Sequence, residues 1–211
     1  MCMLSCGNKD FNAFLNVGIE GITTIYGKAG TGKTCFCLMV AVENAKHSKV
    51  VYIDTENGFT IDRLKQIAKE QSQIVMDNLI LIRASSFKDQ HKKITNIENL
   101  TKNVSLVIVD TLSNHYRRFT KVDKELAKNM LNLQMEKLYD LSKKGVIVIV
   151  TNQVFTNTSM NKFEMVGYST IFPYSQKVVE FTKNQRRIAF LRKPGLSEFI
   201  FDIKEEGIVS C

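Results

Sequence analysis

The sequence predicts an α/β fold: a mainly parallel central sheet with helices on both faces, and a C-terminal antiparallel extension. Three observations predict it. Five runs, at 22–26, 49–54, 79–82, 106–110 and 146–150, are almost continuously apolar and β-branched, as strands buried on both faces are. Segments of helical spacing alternate with them, so the strands are joined by crossovers and lie parallel. Past residue 170 three short runs follow, at 177–181, 186–191 and 198–203, separated by Lys183-Asn184-Gln185 and Lys193-Pro194-Gly195, which are turn sequences.

The chain of 211 residues, 44% hydrophobic, suits one domain spanning 1–211. Residues 1–20 read as a short irregular lead-in, with Phe11, Phe14, Leu15 and Val17 packed on the domain and no separate N-terminal domain. No apolar run reaches the roughly 18 residues of a membrane span, and the first residues lack a signal-peptide core. The expected location is the cytoplasm. The cysteines are Cys2, Cys6, Cys35, Cys37 and Cys211. The spacings of the first four fit no common zinc pattern, so reduced, packed thiols are expected. A net charge of +8 favours a polyanionic partner, though basic proteins need not bind nucleic acid.

In order, the strand at 22–26 runs into Gly27-Lys28-Ala29-Gly30-Thr31-Gly32-Lys33-Thr34, which fits the phosphate-loop pattern at every required position. A long apolar helix follows from Lys33. Strand 49–54 ends in Asp54-Thr55-Glu56-Asn57-Gly58, and a helix carries Ile61, Leu64, Ile67 and Ala68 at helical spacing. After strand 79–82 a polar helix is expected over 91–103. Strand 106–110 ends in Asp110. A helix over 123–143 carries Leu126, Met130, Leu133, Leu138 and Leu141 as its apolar face, with Asp123 as cap. Strand 146–150 leads into Thr151-Asn152-Gln153. The polar stretch 154–167 lacks periodicity and reads as a mobile loop.

Ligands of such sheets bind at the carboxyl ends of the strands, where the loop at Gly27, Glu56, Asp110 and Gln153 all fall. Gly27, Gly30 and Gly32 allow the loop to wrap an anion with inward N–H groups. Lys33 is expected on the β- and γ-phosphates of ATP, and the Thr34 hydroxyl on Mg²⁺. Asp110 can hold the same Mg²⁺ through water. Glu56 could orient or deprotonate the attacking water, with Asp54 as competitor, or both could cap the next helix. Gln153 could bond the γ-phosphate and move when it leaves, or be a polar strand end. Asn114 to Lys121 mixes basic and aromatic residues in a loop, which suits single-stranded DNA or plain solvation. Lys183, Arg186, Arg187, Arg192 and Lys193 form a second basic cluster, either a solvated edge or a contact surface.

Taken together, Asp54-Thr55-Glu56, Asp62-Arg63-Leu64, the strand ending at Asp110, Tyr116-Arg117 and Thr151-Asn152-Gln153-Val154 resemble the RecA/RadA recombinase family, from about Phe11 to Val209. The likeness is to its short archaeal members, which lack the N-terminal helical domain. It implies a RecA-like P-loop NTPase core, with Lys33 and Glu56 catalytic, Gln153 sensing phosphate and Arg63 stacking on adenine. It implies DNA contacts from Arg117, Arg118 and Lys121 in one loop and from 155–167, including Lys162, in a second. It further implies an accessory role in recombination with weak ATPase activity. The DNA would be single-stranded or branched, and the partners other recombination proteins such as a RadA recombinase or a junction resolvase. A filament-forming recombinase and an ATP-binding scaffold are the competing expectations. Two departures stand out: Gly167-Tyr168 replaces the glycine pair that closes the second loop, and Phe11-Asn12-Ala13-Phe14 has the wrong spacing for a polymerisation motif.

Overall fold

The computed structural model describes residues 5–15, 21–100, 103–157 and 162–211. The elements are α1 (Lys9–Phe14), β1 (Ile22–Gly27), α2 (Lys33–Ala45), β2 (Lys49–Asp54), α3 (Ile61–Ala68), α4 (Ser72–Asn78), β3 (Leu79–Arg83), α5 (Phe87–Thr95) and β4 (Val104–Asp110). Then come α6 (Ser113–Phe119), α7 (Lys124–Lys143), β5 (Ile147–Asn152), β6 (Val154–Asn157), β7 (Lys162–Met165), α8 (Tyr168–Ile171), β8 (Ser175–Lys183), β9 (Arg187–Lys193), β10 (Ser197–Lys204) and β11 (Gly207–Ser210).

Among the described residues nine strands form one sheet, in the order β11-β10-β9-β8-β1-β5-β4-β2-β3. The five apolar runs are its parallel strands. β8 also runs parallel to β1, so the antiparallel extension begins one strand later, at β9, and gains β11, which its four residues left unmarked in the sequence. Each face of the sheet carries its own core. Phe11, Phe36, Leu38, Tyr52, Leu64, Val75 and Phe181 belong to one. Ile53, Phe87, Ile94, Val109, Leu131, Met135 and Leu138 belong to the other. The double covering accounts for the unbroken apolar strands. Among the described residues no helix is long and apolar enough to cross a membrane.

Several elements differ from the sequence expectation. The lead-in holds a helix, α1, capped by Asn8, and Phe11 and Leu15 are buried; Val17 lies outside the described residues. The polar helix expected over 91–103 starts earlier, at Phe87, because Ser86 accepts a hydrogen bond from Asp89 N, and it ends at Thr95. In α7, Asp123 caps as expected, accepting from Leu126 N. Its buried face, however, is Ala127, Leu131, Gln134, Met135, Leu138 and Leu141, while Leu126 and Leu133 are 42% and 50% exposed. Gln134 takes a core position because its amide oxygen accepts from Gln90. Residues 154–157 and 162–165 are not a plain loop: β6 and β7 pair antiparallel.

Candidate nucleotide and nucleic-acid site

The order β1-β5-β4-β2 sets four strand ends side by side. Along that edge stand the loop after Gly27, then Gln153, then Asp110, then Glu56. Sequence separations of up to 126 residues thus collapse into one row.

The loop is shaped for close approach. A Cβ on Gly27 would lie 2.2 Å from the Phe181 carbonyl oxygen, and Gly32 takes φ +110 with Ile203 Cδ1 only 2.9 Å from any added Cβ. Backbone bars a side chain at Gly27, and the left-handed φ strains one at Gly32. Lys28, Ala29 and Gly30 are exposed, and Thr31 is buried, its hydroxyl donating to Lys28 O at 2.9 Å. α2 then starts at Lys33 with Gly32 as its cap. Lys33 Nζ donates to Gly27 O and Lys28 O, both at 2.8 Å. Burial pulls the ammonium below the ordinary lysine value, while Asp110 and Glu56 pull it up. No described carboxylate forms an ion pair with it. A buried cation with its third N–H uncommitted, beside the N–H groups at the start of α2, which have no side-chain cap, fits a polyphosphate.

Asp110 is buried at the end of β4, level with Asp54 on β2. Its Oδ2 accepts from Tyr52 Oη at 2.8 Å and its Oδ1 from Thr151 Oγ1 at 2.5 Å. Two hydroxyls fix the carboxylate and leave lone pairs for a metal-bound water. Tyr52 and Thr151 were not assigned roles from the sequence; the signal was a hydroxyl within one apolar run and another just after a later one. The Thr34 hydroxyl, at the start of α2, lies 3.9 Å from where a Cβ on Gly58 would sit. A half-buried hydroxyl and a fixed carboxylate are hard oxygen donors, which suit Mg²⁺.

Asp54 and Glu56 divide their work. Asp54 is 1% exposed. It accepts from the backbone N–H of Glu56 at 3.1 Å, Gly58 at 3.2 Å and Phe59 at 3.1 Å. It therefore holds the turn. Glu56 faces outward, and its Oε1 accepts from Gln153 Nε2. Burial first and the Asp110 carboxylate second lift Glu56 above the usual carboxylate range, while Gln153 and Lys33 pull it down. Arg63 in α3 donates to Lys204 O at 2.6 Å and Glu205 O at 3.0 Å, and reaches Cys35 Sγ at 3.6 Å. It thus closes the β10–β11 turn over the start of α2.

The basic segment after Asp110 is a helix, α6, rather than a loop. Its buried face is short: Ser113, His115, whose Nε2 bonds Ala84 O at 2.8 Å, and Tyr116 packed on Phe87. Its outer face carries Arg117 and Arg118. With Asn114, Lys121 and Gln153 these line an open cavity of about 310 Å³. In the β6–β7 ribbon Phe155 and Phe163 are exposed, and Lys28 Nζ sits 3.8 Å from the Phe163 ring centre. The Lys162 side chain lies outside the described residues. Gly167 caps α8 with φ +71, and Tyr168 stacks on Phe172 with ring centres 4.7 Å apart. The second basic cluster is largely spent internally. Arg187 pairs with Asp202 at 2.8 Å, Arg192 with Glu180 at 2.6 Å, and Lys193 donates to Ser175 O. Lys183 lines a cavity beside Gly27, Lys28 and Phe163. Of the four cysteines placed, none is disulfide-bonded, and Cys2 lies outside the described residues. No group of three metal-ligating side chains occurs among the described residues.

Comparison with known proteins gives the family. The Rad51 family model matches residues 1–209. The protein named DNA repair and recombination protein RadB of Methanocaldococcus jannaschii is 37% identical over 198 residues, 89% of this chain and 92% of that one. The protein of the same name from Methanoculleus marisnigri is 35% identical over 219 residues, 97% and 96% of the two chains. Among solved structures, one described as the crystal structure of the RadB recombinase superposes with a TM-score of 0.84 at 30% identity. It covers 99% of this chain and 100% of that one.

Proposed function

The chain belongs to the Rad51 family, and from that premise we propose that it is an ATP- and DNA-binding accessory protein of homologous recombination and DNA repair. Its ATP hydrolysis is weak, and it carries out little or no strand exchange. The observation that carries the reading is the row formed by Lys33, Asp110, Glu56 and Gln153 along one sheet edge, with the basic face of α6 beside it.

In this reading the loop N–H groups and Lys33 bind the β- and γ-phosphates, and Arg63 stacks on the adenine. Thr34 and Asp110 hold Mg²⁺, which when bound neutralises the phosphate oxygens. Glu56 orients the attacking water and takes its proton, and Gln153 turns toward the γ-phosphate. Arg117, Arg118 and Lys121 hold phosphates of single-stranded or branched DNA, and the β6–β7 ribbon, with Lys162, adds a second contact. Other recombination proteins, such as a RadA recombinase or a junction resolvase, are the partners we expect, in the cytoplasm. Slow turnover is expected where no neighbouring copy completes the ATP site.

The test is ATP binding and phosphate release by the intact protein, with and without single-stranded DNA, recording particle size in the same samples. Lys33→Ala should abolish ATP binding; a variant that still binds ATP normally sinks the site. DNA affinity should fall steeply with salt, and Arg118→Ala should flatten the log–log salt slope by about 0.7. An unchanged slope would remove Arg118 from the DNA contact.

A further inference from the structure

The row of site residues stops at Glu56, after β2, but the sheet continues one strand further, to β3. Arg83 ends β3, level with Asp54 on β2. Residues from the ends of these two strands and from α5 and α6 line a cavity of about 400 Å³, and Glu56 forms part of its wall. Its cations are Arg83, Lys93 and Arg118, and its carboxylates are Glu56 and Asp89. Asp89 is neutralised where it stands. Lys93 Nζ donates to it at 2.8 Å, and Ser85 adds its N–H at 2.9 Å and its hydroxyl at 3.2 Å. His115, also in the wall, spends Nε2 on Ala84 O. Neither Arg83 nor Arg118 has a described carboxylate partner. Two unpaired guanidinium groups therefore face a single free carboxylate, that of Glu56.

Hydrolysis changes that balance. Water attacks the γ-phosphorus, and the bond to the β–γ bridging oxygen breaks, leaving that oxygen on ADP. One proton of the water goes to Glu56, and the other stays on the new phosphate, HPO₄²⁻. Glu56 is then neutral, and the cavity beside it presents two uncompensated guanidinium groups. Their forks match phosphate oxygens bidentately. We propose that this cavity is an exit site for product phosphate, which passes Glu56 and is held by Arg83 and Arg118 before it reaches solvent. The inference rests on Glu56 taking the proton of water at the nucleotide site, as proposed above. A DNA backbone carries the same phosphoryl chemistry, and Arg118 also lines the cavity that contains Gln153 and Lys121. Arg83 does not line it, so Arg83 separates the two sources.

The experiment titrates inorganic phosphate, at constant ionic strength, into the intact wild type saturated with ADP and Mg²⁺ and into Lys33→Ala without nucleotide. Thermal unfolding is the fold control. Both proteins should bind phosphate, because the loop is filled in one and disabled in the other. Adding Arg83→Ala to either should weaken phosphate at least about tenfold, the loss of one charge-assisted contact. Arg83→Gln replaces it if the alanine variant unfolds. Phosphate binding that needs Lys33 but not Arg83 belongs to the loop and overturns the exit site. Single-stranded DNA supplies the second arm. If Arg83→Ala weakens DNA as much as it weakens phosphate, the cavity holds a backbone phosphate and the product assignment falls; DNA affinity that stays at the wild-type value supports it. Added phosphate should also slow ATP hydrolysis without competing with ATP, and Arg83→Ala should raise its half-inhibitory concentration by the same factor. Competitive inhibition of equal potency in both proteins overturns the assignment. A protein that binds phosphate through Arg83 but never binds ATP would instead remove the nucleotide reading, and the product role with it.

Discussion

Asp54 and Glu56 are two residues apart at the end of the same strand, and burial gives them opposite duties. Asp54 accepts three backbone N–H groups of the turn that follows. Replacing it with alanine leaves those donors without their anion, so Asp54→Ala should cost at least about 2 kcal/mol. Urea unfolding reads this as a lower midpoint at unchanged slope. Glu56 carries the reverse sign. Its folded pKa lies above the ordinary 4.5, so the folded state binds the proton more tightly than the unfolded chain does. Stability from this group is therefore fully present below about pH 4 and is lost as pH rises through the folded value. Glu56→Gln should accordingly melt slightly higher than wild type at pH 7 and lose that advantage as the pH falls below 4.5. A variant that melts lower at pH 7 would contradict the desolvation argument. The sequence placed both carboxylates at the strand end but left their roles open. Which one turns inward depends on the β2–α3 turn, and that turn is set by contacts with β4, such as Thr55 N to Asp110 O at 2.9 Å.

Elements were legible where one physical pattern filled their length. β1, β2, β4 and β5 are covered on both faces, so their apolar runs had no competing explanation. α6 went unread because only Ser113, His115 and half-buried Tyr116 face the core, too few for a 3.6-residue stripe. α1, α4 and α8 span 6, 7 and 4 residues, too short for periodicity to show. α7 was read as a helix with its face partly turned: Leu138 and Leu141 are buried and Met130 packs on the core, but Leu126 and Leu133 are exposed where Ala127, Leu131 and Met135 are buried. Hydropathy could not choose, because the true face includes Gln134, and the decisive partner Gln90 lies in α5. Two substitutions two positions apart separate the readings. Leu131→Ala should cost about 2–5 kcal/mol, whereas Leu133→Ala should stay within about 0.5 kcal/mol. Denaturant midpoints of equal magnitude would restore the other face.

At the scale of the whole molecule, the fate of Phe11 bears on assembly. It is 1% exposed and its ring centre lies 5.0 Å from Phe199, 5.1 Å from Phe36 and 5.4 Å from Phe14. One aromatic ring thus ties α1 to α2 and to the antiparallel end of the sheet. Asn8 adds a bond to Ile208 O at 3.1 Å, and Asp10 one to the Ser210 hydroxyl. α1 therefore also shields β11, the strand at that edge of the sheet. A phenylalanine committed this way cannot reach a neighbouring copy without opening its own core. Phe11→Ala should destabilise the fold by about 3–5 kcal/mol, the usual cost of truncating a buried aromatic. Below its lowered melting temperature, particle size should match wild type with and without ATP and DNA. Light scattering and calorimetry on the same samples decide the matter. A variant of wild-type stability that loses an assembly present in wild type would mean that Phe11 serves a partner chain instead of its own core.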